Sequence, residues 1–154
     1  MSLIPDKLYK QIVASVPIPC VDVFVTCGGE FLLGRRAIEP EKGKWWPAGG
    51  HVERGELIKE TASRETKEEF GINAAPDRFE FLLVEETIFN NPDGSILRHT
   101  INSVFKLELI EKPIVTPAVD EFSEVKWLQK IEEDWHPYVK LCLEKAGFTL
   151  TPKK

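Results

Sequence analysis

The chemistry in this sequence is concentrated between Gly49 and Ile72, a segment that holds Glu56, Arg64, Glu65, Glu68 and Glu69 behind the pair Gly49-Gly50. On a helix, Glu65, Glu68 and Glu69 stand at i, i+3 and i+4, so their carboxylates converge on one face. Left alone, each close pair of like charges costs a few tenths of a kcal/mol. Hard cations such as Mg²⁺ are held by several oxygen ligands, and a cluster of carboxylates supplies them. The bland alternative is a solvated acidic face diluted by Lys59, Arg64 and Lys67, and the helix by itself leaves the two readings about even. Its surroundings favour the cation: Gly49-Gly50 frees the backbone just ahead, Glu56 sits where the helix begins, and Arg64 can fix a neighbouring carboxylate by a charge-assisted hydrogen bond.

Several elements must position these groups. A helix is expected over about 57–70, with Ala62, Thr66 and Phe70 as its narrow packing stripe and Gly71 as its left-handed stop. Ahead of it, residues 5–16 read as a short helix with Leu8, Ile12 and Val16 at helical spacing. Alternation from Val21 to Thr26, the turn Gly28-Gly29 and the run 30–36 predict a hairpin. Residues 37–49 read as a loop rich in Pro, Gly and Lys that carries Trp45 and Trp46. Residues 78–89 and 96–110 predict a second hairpin around Asn90-Asn91-Pro92-Asp93-Gly94, Glu124–Leu128 a short strand, and 136–146 a last helix. This order predicts an α/β fold with a mixed sheet and helices on both faces.

The 154 residues suit one domain over 1–154, with no repeat or linker to divide it. A net charge of −5 argues against a nucleic-acid partner but not against a nucleotide, since a bound cation reverses the local sign. Cys20, Cys27 and Cys142 are scattered and odd in number, which points to buried thiols rather than a zinc site or disulfides. No segment has the length and apolarity of a signal peptide or a spanning helix, so no membrane partner and a cytoplasmic location are expected.

Gly50, Glu56, Arg64-Glu65, Glu68-Glu69 and Gly71-Ile72 stand at the spacing of the Nudix box, here residues 50–72, and the chain resembles the Nudix hydrolases. The one departure is Thr66, where an aliphatic residue is usual. The resemblance implies an α/β/α sandwich and cleavage of a nucleoside diphosphate linked to another group. It implies further that the Gly49 carbonyl, Glu65, Glu68 and Glu69 hold Mg²⁺ (Mn²⁺ serving as well), that Glu56 orients the ion's ligands, and that Glu65, Glu68 and Arg64 take part in catalysis.

Over nearly its whole length the chain is also similar to the GDP-mannose mannosyl hydrolase subfamily, through the N-terminal helix, the strand with Asp22, the run Glu30–Arg36 and the 96–110 segment. That likeness implies Asp22 in substrate binding, Arg36 on the diphosphate and a homodimer. The departures lie in the catalytic groups. Glu65 and Glu68 are both present where the subfamily lacks two box glutamates, Phe122 stands where it has its catalytic histidine, and His51 replaces an arginine. For attack on the sugar carbon the base is then Glu121 or His99, while His51 and Trp46 are candidates for substrate contact. Trp46 or Trp45 can stack a nucleobase or simply pack. A small-molecule nucleotide is the expected partner, a nucleotide sugar such as GDP-mannose first. A general nucleoside di- or triphosphate or dinucleotide pyrophosphohydrolase and a catalytically silent nucleotide sensor are the alternatives.

Overall fold

The computed structural model describes residues 4–152. Its elements are α1 (Asp6–Ser15), β1 (Ile18–Cys27), β2 (Glu30–Arg36), β3 (Trp45–Trp46), β4 (Ala48–His51), α2 (Ile58–Phe70), a single 3₁₀ turn (Pro76–Arg78), β5 (Glu80–Asn90), β6 (Ile96–Leu109), β7 (Phe122–Leu128) and α3 (Pro137–Lys145). Gly28 and Gly29 take φ of 57° and 80°, the left-handed pair of a two-residue hairpin turn, and join β1 to β2.

β1 lies at the centre of the sheet. One edge pairs in parallel with β6 along its whole length, from Ile18–Thr100 to Cys27–Leu109. Its other edge is shared: Val25–Cys27 pairs with β2, and Cys20–Val23 with β4, both antiparallel. β2 carries on to β3 and β7, and β6 to β5. One parallel pair among antiparallel ones makes the sheet mixed, as the order of elements predicts. The segment 37–49 is not wholly a loop, however, because Trp45–Trp46 and Ala48–His51 are strands. Their backbone donors complete edges that β2 and β1 would otherwise leave open.

The core joins Val21, Val23 and Phe24 of β1, Phe31–Leu33 of β2, Ala62 and Phe70 of α2, and Val139 and Leu143 of α3, all buried. Thr66 lies fully buried on the packing stripe, where its hydroxyl donates to the Ala62 carbonyl at 2.7 Å, so the polar departure satisfies itself. Phe122 is also core: it packs on Phe70 with ring centroids 5.3 Å apart, and any side chain at Gly34 would collide with it. The N-terminal helix forms, but Leu8 and Val16 are exposed and Tyr9 makes the inward contact instead. All three cysteines are buried and free, and among the described residues no helix is long and apolar enough to cross a membrane.

Candidate active site

A cleft of about 710 Å³ opens between α2, β4 and the face of β1 and β6. Helix α2 is set against β4 by the glycine pair. A side chain on Gly49 would strike Asp22, and one on Gly50 would strike the Glu65 carboxylate. Only glycine lets backbone and carboxylate come so close. The Gly49 N–H donates to Glu69 Oε2 at 3.2 Å, and Gly71 closes the helix with φ 69°.

Glu65 and Glu69 are each 8% exposed, while Glu68 is exposed at the rim. Burial pushes the Glu65 carboxyl up to about 7, against the opposing pull of Arg64, and burial with the nearby Glu65 charge pushes Glu69 well above the carboxylate range. Arg64 organises the group. It grips Glu56 with two bonds (Nε 2.8 Å, Nη2 2.9 Å), reaches Glu65 at 2.7 Å and Glu68 at 3.4 Å, and donates to the His51 carbonyl at 3.0 Å. That grip, with the Thr61 hydroxyl, holds Glu56 down at about 2.

Among the described residues no three acidic, His or Cys side chains group around one point, and Arg64 contacts Glu65 and Glu68. The donor set nonetheless suits a hard divalent ion: every ligand is an oxygen, and buried like charges are relieved by a cation.

The other expected residues fall around the same cleft. Asp22 is buried, accepts from the Tyr138 hydroxyl and is raised by burial to about 6. Arg36 lines the wall with its Nε donating to the Pro40 carbonyl at 2.6 Å. His51 bonds the Tyr9 hydroxyl through Nε2 at 3.0 Å, and burial with the charges of Arg98 and Arg64 lowers its pKa, which favours the neutral ring. Glu121 also lines the cleft, held there by the Ala118–Glu69 and Thr116–Phe70 backbone bonds that tie its loop to α2.

One expectation needs correcting. His99 points away from the cleft, since its neighbours Arg98 and Thr100 line it and alternate residues of a strand face opposite ways. It pairs instead with Glu86 at 2.8 Å. Trp46 lines the cleft while 7% exposed, packed on Tyr138 and His136 with ring centroids 5.6 and 5.2 Å apart. Trp45 carries the Arg35 guanidinium over its ring at 4.8 Å. Tyr9, Arg98 and Asn102 line the cleft, and Tyr138 reaches it through Asp22, without being marked in the sequence. The one available signal is that Tyr138 shares the buried stripe of α3 with Cys142, where a hydroxyl needs a partner.

Comparison with known proteins agrees with this geometry. The model of the NUDIX domain matches residues 16–142. The low-salt glycan biosynthesis protein Agl8 of Haloferax volcanii is 29% identical over 143 residues, 92% of this chain and 89% of that protein. An ADP-ribose pyrophosphatase of Methanocaldococcus jannaschii is 34% identical over 94 residues, 61% of this chain and 52% of that protein. Among solved structures, a MutT NUDIX hydrolase from Burkholderia pseudomallei superposes with a TM-score of 0.72 at 22% identity, over 85% of this chain and 98% of that one, and so shares the fold. The matched domain takes in the glycine pair, the acidic helix and the cleft they form, and the chain belongs to the Nudix hydrolase family.

Proposed function

We propose that this protein is a Mg²⁺-dependent hydrolase, with Mn²⁺ able to substitute, that cleaves a nucleotide sugar, and that GDP-mannose is the first compound to test. One observation carries the reading: two buried carboxylates, Glu65 and Glu69, lie beneath a glycine pair at the edge of a cleft of about 710 Å³. Buried like charges are tolerated where a cation is to be bound. The relatives, a glycan biosynthesis protein and an ADP-ribose pyrophosphatase, both suit a nucleoside diphosphate joined to a sugar.

In this reading Glu65, Glu68 and Glu69 hold the ion with the Gly49 carbonyl, and Arg64, braced on Glu56, sets their orientation. The ion supplies charge neutralisation for the diphosphate and its leaving group. Arg36 faces the cleft with nitrogens beyond its Pro40 bond and suits a diphosphate oxygen, while Asp22 and His51 contact the substrate. Glu65 or Glu68 takes the proton of the attacking water. The water oxygen then bonds to phosphorus as the bridging P–O bond breaks, releasing GMP and a sugar phosphate.

A second reading moves the attack to the sugar carbon and releases intact GDP and free sugar. It is supported by the position of Glu121, which lies in the cleft one residue before Phe122. Retention of both Glu65 and Glu68 favours phosphorus. Turnover of GDP-mannose in ¹⁸O-water with mass analysis of both products tests the assignment. Label in a phosphate with GMP as co-product is expected; label in the sugar hydroxyl with intact GDP overturns attack at phosphorus and keeps the substrate.

A further inference from the structure

Two donors in the cleft have no acceptor. Asn102 is 3% exposed and its Nδ2 has no partner, and Arg98 Nε, four residues earlier on β6, is buried and likewise unpartnered. Both line the cleft with Thr100 between them. The neighbouring polar groups are already engaged: the Thr87 and Thr100 hydroxyls bond one another at 2.5 Å, and the Tyr9 hydroxyl bonds His51. Among the described residues Arg98 forms no ion pair. Buried donors are seldom left unbonded in folded chains, so two of them facing one cleft point to acceptors that a ligand brings.

Their placement says which part of a ligand. Asn102 stands beside Cys20 on β1, and Cys20 beside His51 on β4. At roughly 4.8 Å per strand and 3.3 Å per residue, the backbone of Arg98, two strands across and five residues along, lies on the order of 19 Å from that of Gly50, farther than a diphosphate unit reaches. Phe89 pairs with Arg98 across β5 and β6 and is half-buried in the cleft, as is Tyr9. Aromatic rings beside donors suit a flat base better than a sugar.

We propose that Arg98 and Asn102 form the base-reading edge of this cleft and take the acceptor edge of a keto nucleobase, guanine or uracil, in preference to adenine or cytosine. Guanine presents O6 and N7 and uracil presents O4 to such an edge, whereas adenine and cytosine turn an amino donor towards it. An asparagine amide can serve either kind of base, but a guanidinium has donors only, and so Arg98 sets the sign. An amino base would leave the guanidinium opposite another donor, the mismatch that polar sites reject most strongly.

The inference rests on the nucleoside diphosphate reading, and the test separates the two. Calorimetric titration with the non-hydrolysable α,β-methylene diphosphates of guanosine, uridine, adenosine and cytidine, in Mg²⁺, should show the first two binding about tenfold or more tighter than the others. Arg98→Gln, and independently Asn102→Ser, should bring the keto ligands to within about twofold of the amino ones and leave the latter unchanged. Equal binding of all four by the wild type overturns the proposal. So does an equal weakening of all four in Arg98→Gln, which would make Arg98 a phosphate contact. Failure of all four to bind the wild type would remove the nucleoside diphosphate reading as well.

Discussion

At the scale of the residue, Arg64 and the carboxylates around it give opposite pH signatures. The Glu56 carboxyl is held at about 2, below its unfolded value, so its contribution is present above about pH 4.5 and is lost as pH falls through 2. Discounted for solvent screening, Glu56→Gln should cost about 1–2 kcal/mol in urea melts at pH 7 and visibly less at pH 3. Glu65 behaves in the reverse sense. Its folded value of about 7 lies above the unfolded one, so without metal it contributes no penalty below about pH 4.5 and a growing one up to about 7. Glu68→Gln and Glu69→Gln should each lower turnover on the order of a hundredfold or more. Glu69→Gln keeps an acceptor for the Gly49 N–H and relieves a buried charge, so its metal-free melting temperature should rise. A Glu69→Gln protein that is inactive because it melts lower would contradict the assignment. These residues were legible because the spacing that gathers charge on one helical face is local. Arg98 and Asn102 were not, because an unpartnered donor becomes visible only once the opposite wall is in place.

At the scale of the element, the approach of α2 to β4 is the feature that the glycine pair makes possible. Gly50→Ala forces aside only the Glu65 carboxylate, the end of a flexible side chain, so its effect falls on the ion's ligand rather than on stability. Mg²⁺ affinity should fall by about tenfold or more, read by calorimetry on the folded variant. Helix α3 reaches the same site through one hydroxyl. Tyr138→Phe removes the donor to buried Asp22 and should cost about 1–3 kcal/mol in a denaturant melt. The helices, the two hairpins and the left-handed glycines were legible from periodicity and turn chemistry. The strands within 37–49 were not, because two to four residues carry no period and their strand character comes from the β1 and β2 edges they complete. The contact of α1 with the site was not legible either, since Leu8, Ile12 and Val16 show helical spacing while Tyr9 is the residue that bonds His51.

At the scale of the whole molecule, a central strand shared between β2 and β4 leaves one sheet face open as a cleft, and α2 lines one side of it with Glu65, Glu68 and Glu69. A cation that binds only the folded chain adds about 2.7 kcal/mol at a hundred times its Kd, which is several degrees in Tm. Because burial raises both Glu65 and Glu69, and an ion needs their charged forms, the stabilisation by Mg²⁺ should grow from pH 5 to pH 8. A shift of equal size at pH 5 and pH 8 would mean that the ion binds elsewhere. The central claim, that this cleft is a divalent-ion-dependent hydrolytic centre, is tested most directly by the rate of GDP-mannose hydrolysis as Mg²⁺ is titrated against EDTA. Turnover that vanishes in excess EDTA and returns when Mg²⁺ exceeds the chelator is the expected result, and full turnover in excess EDTA would contradict the account.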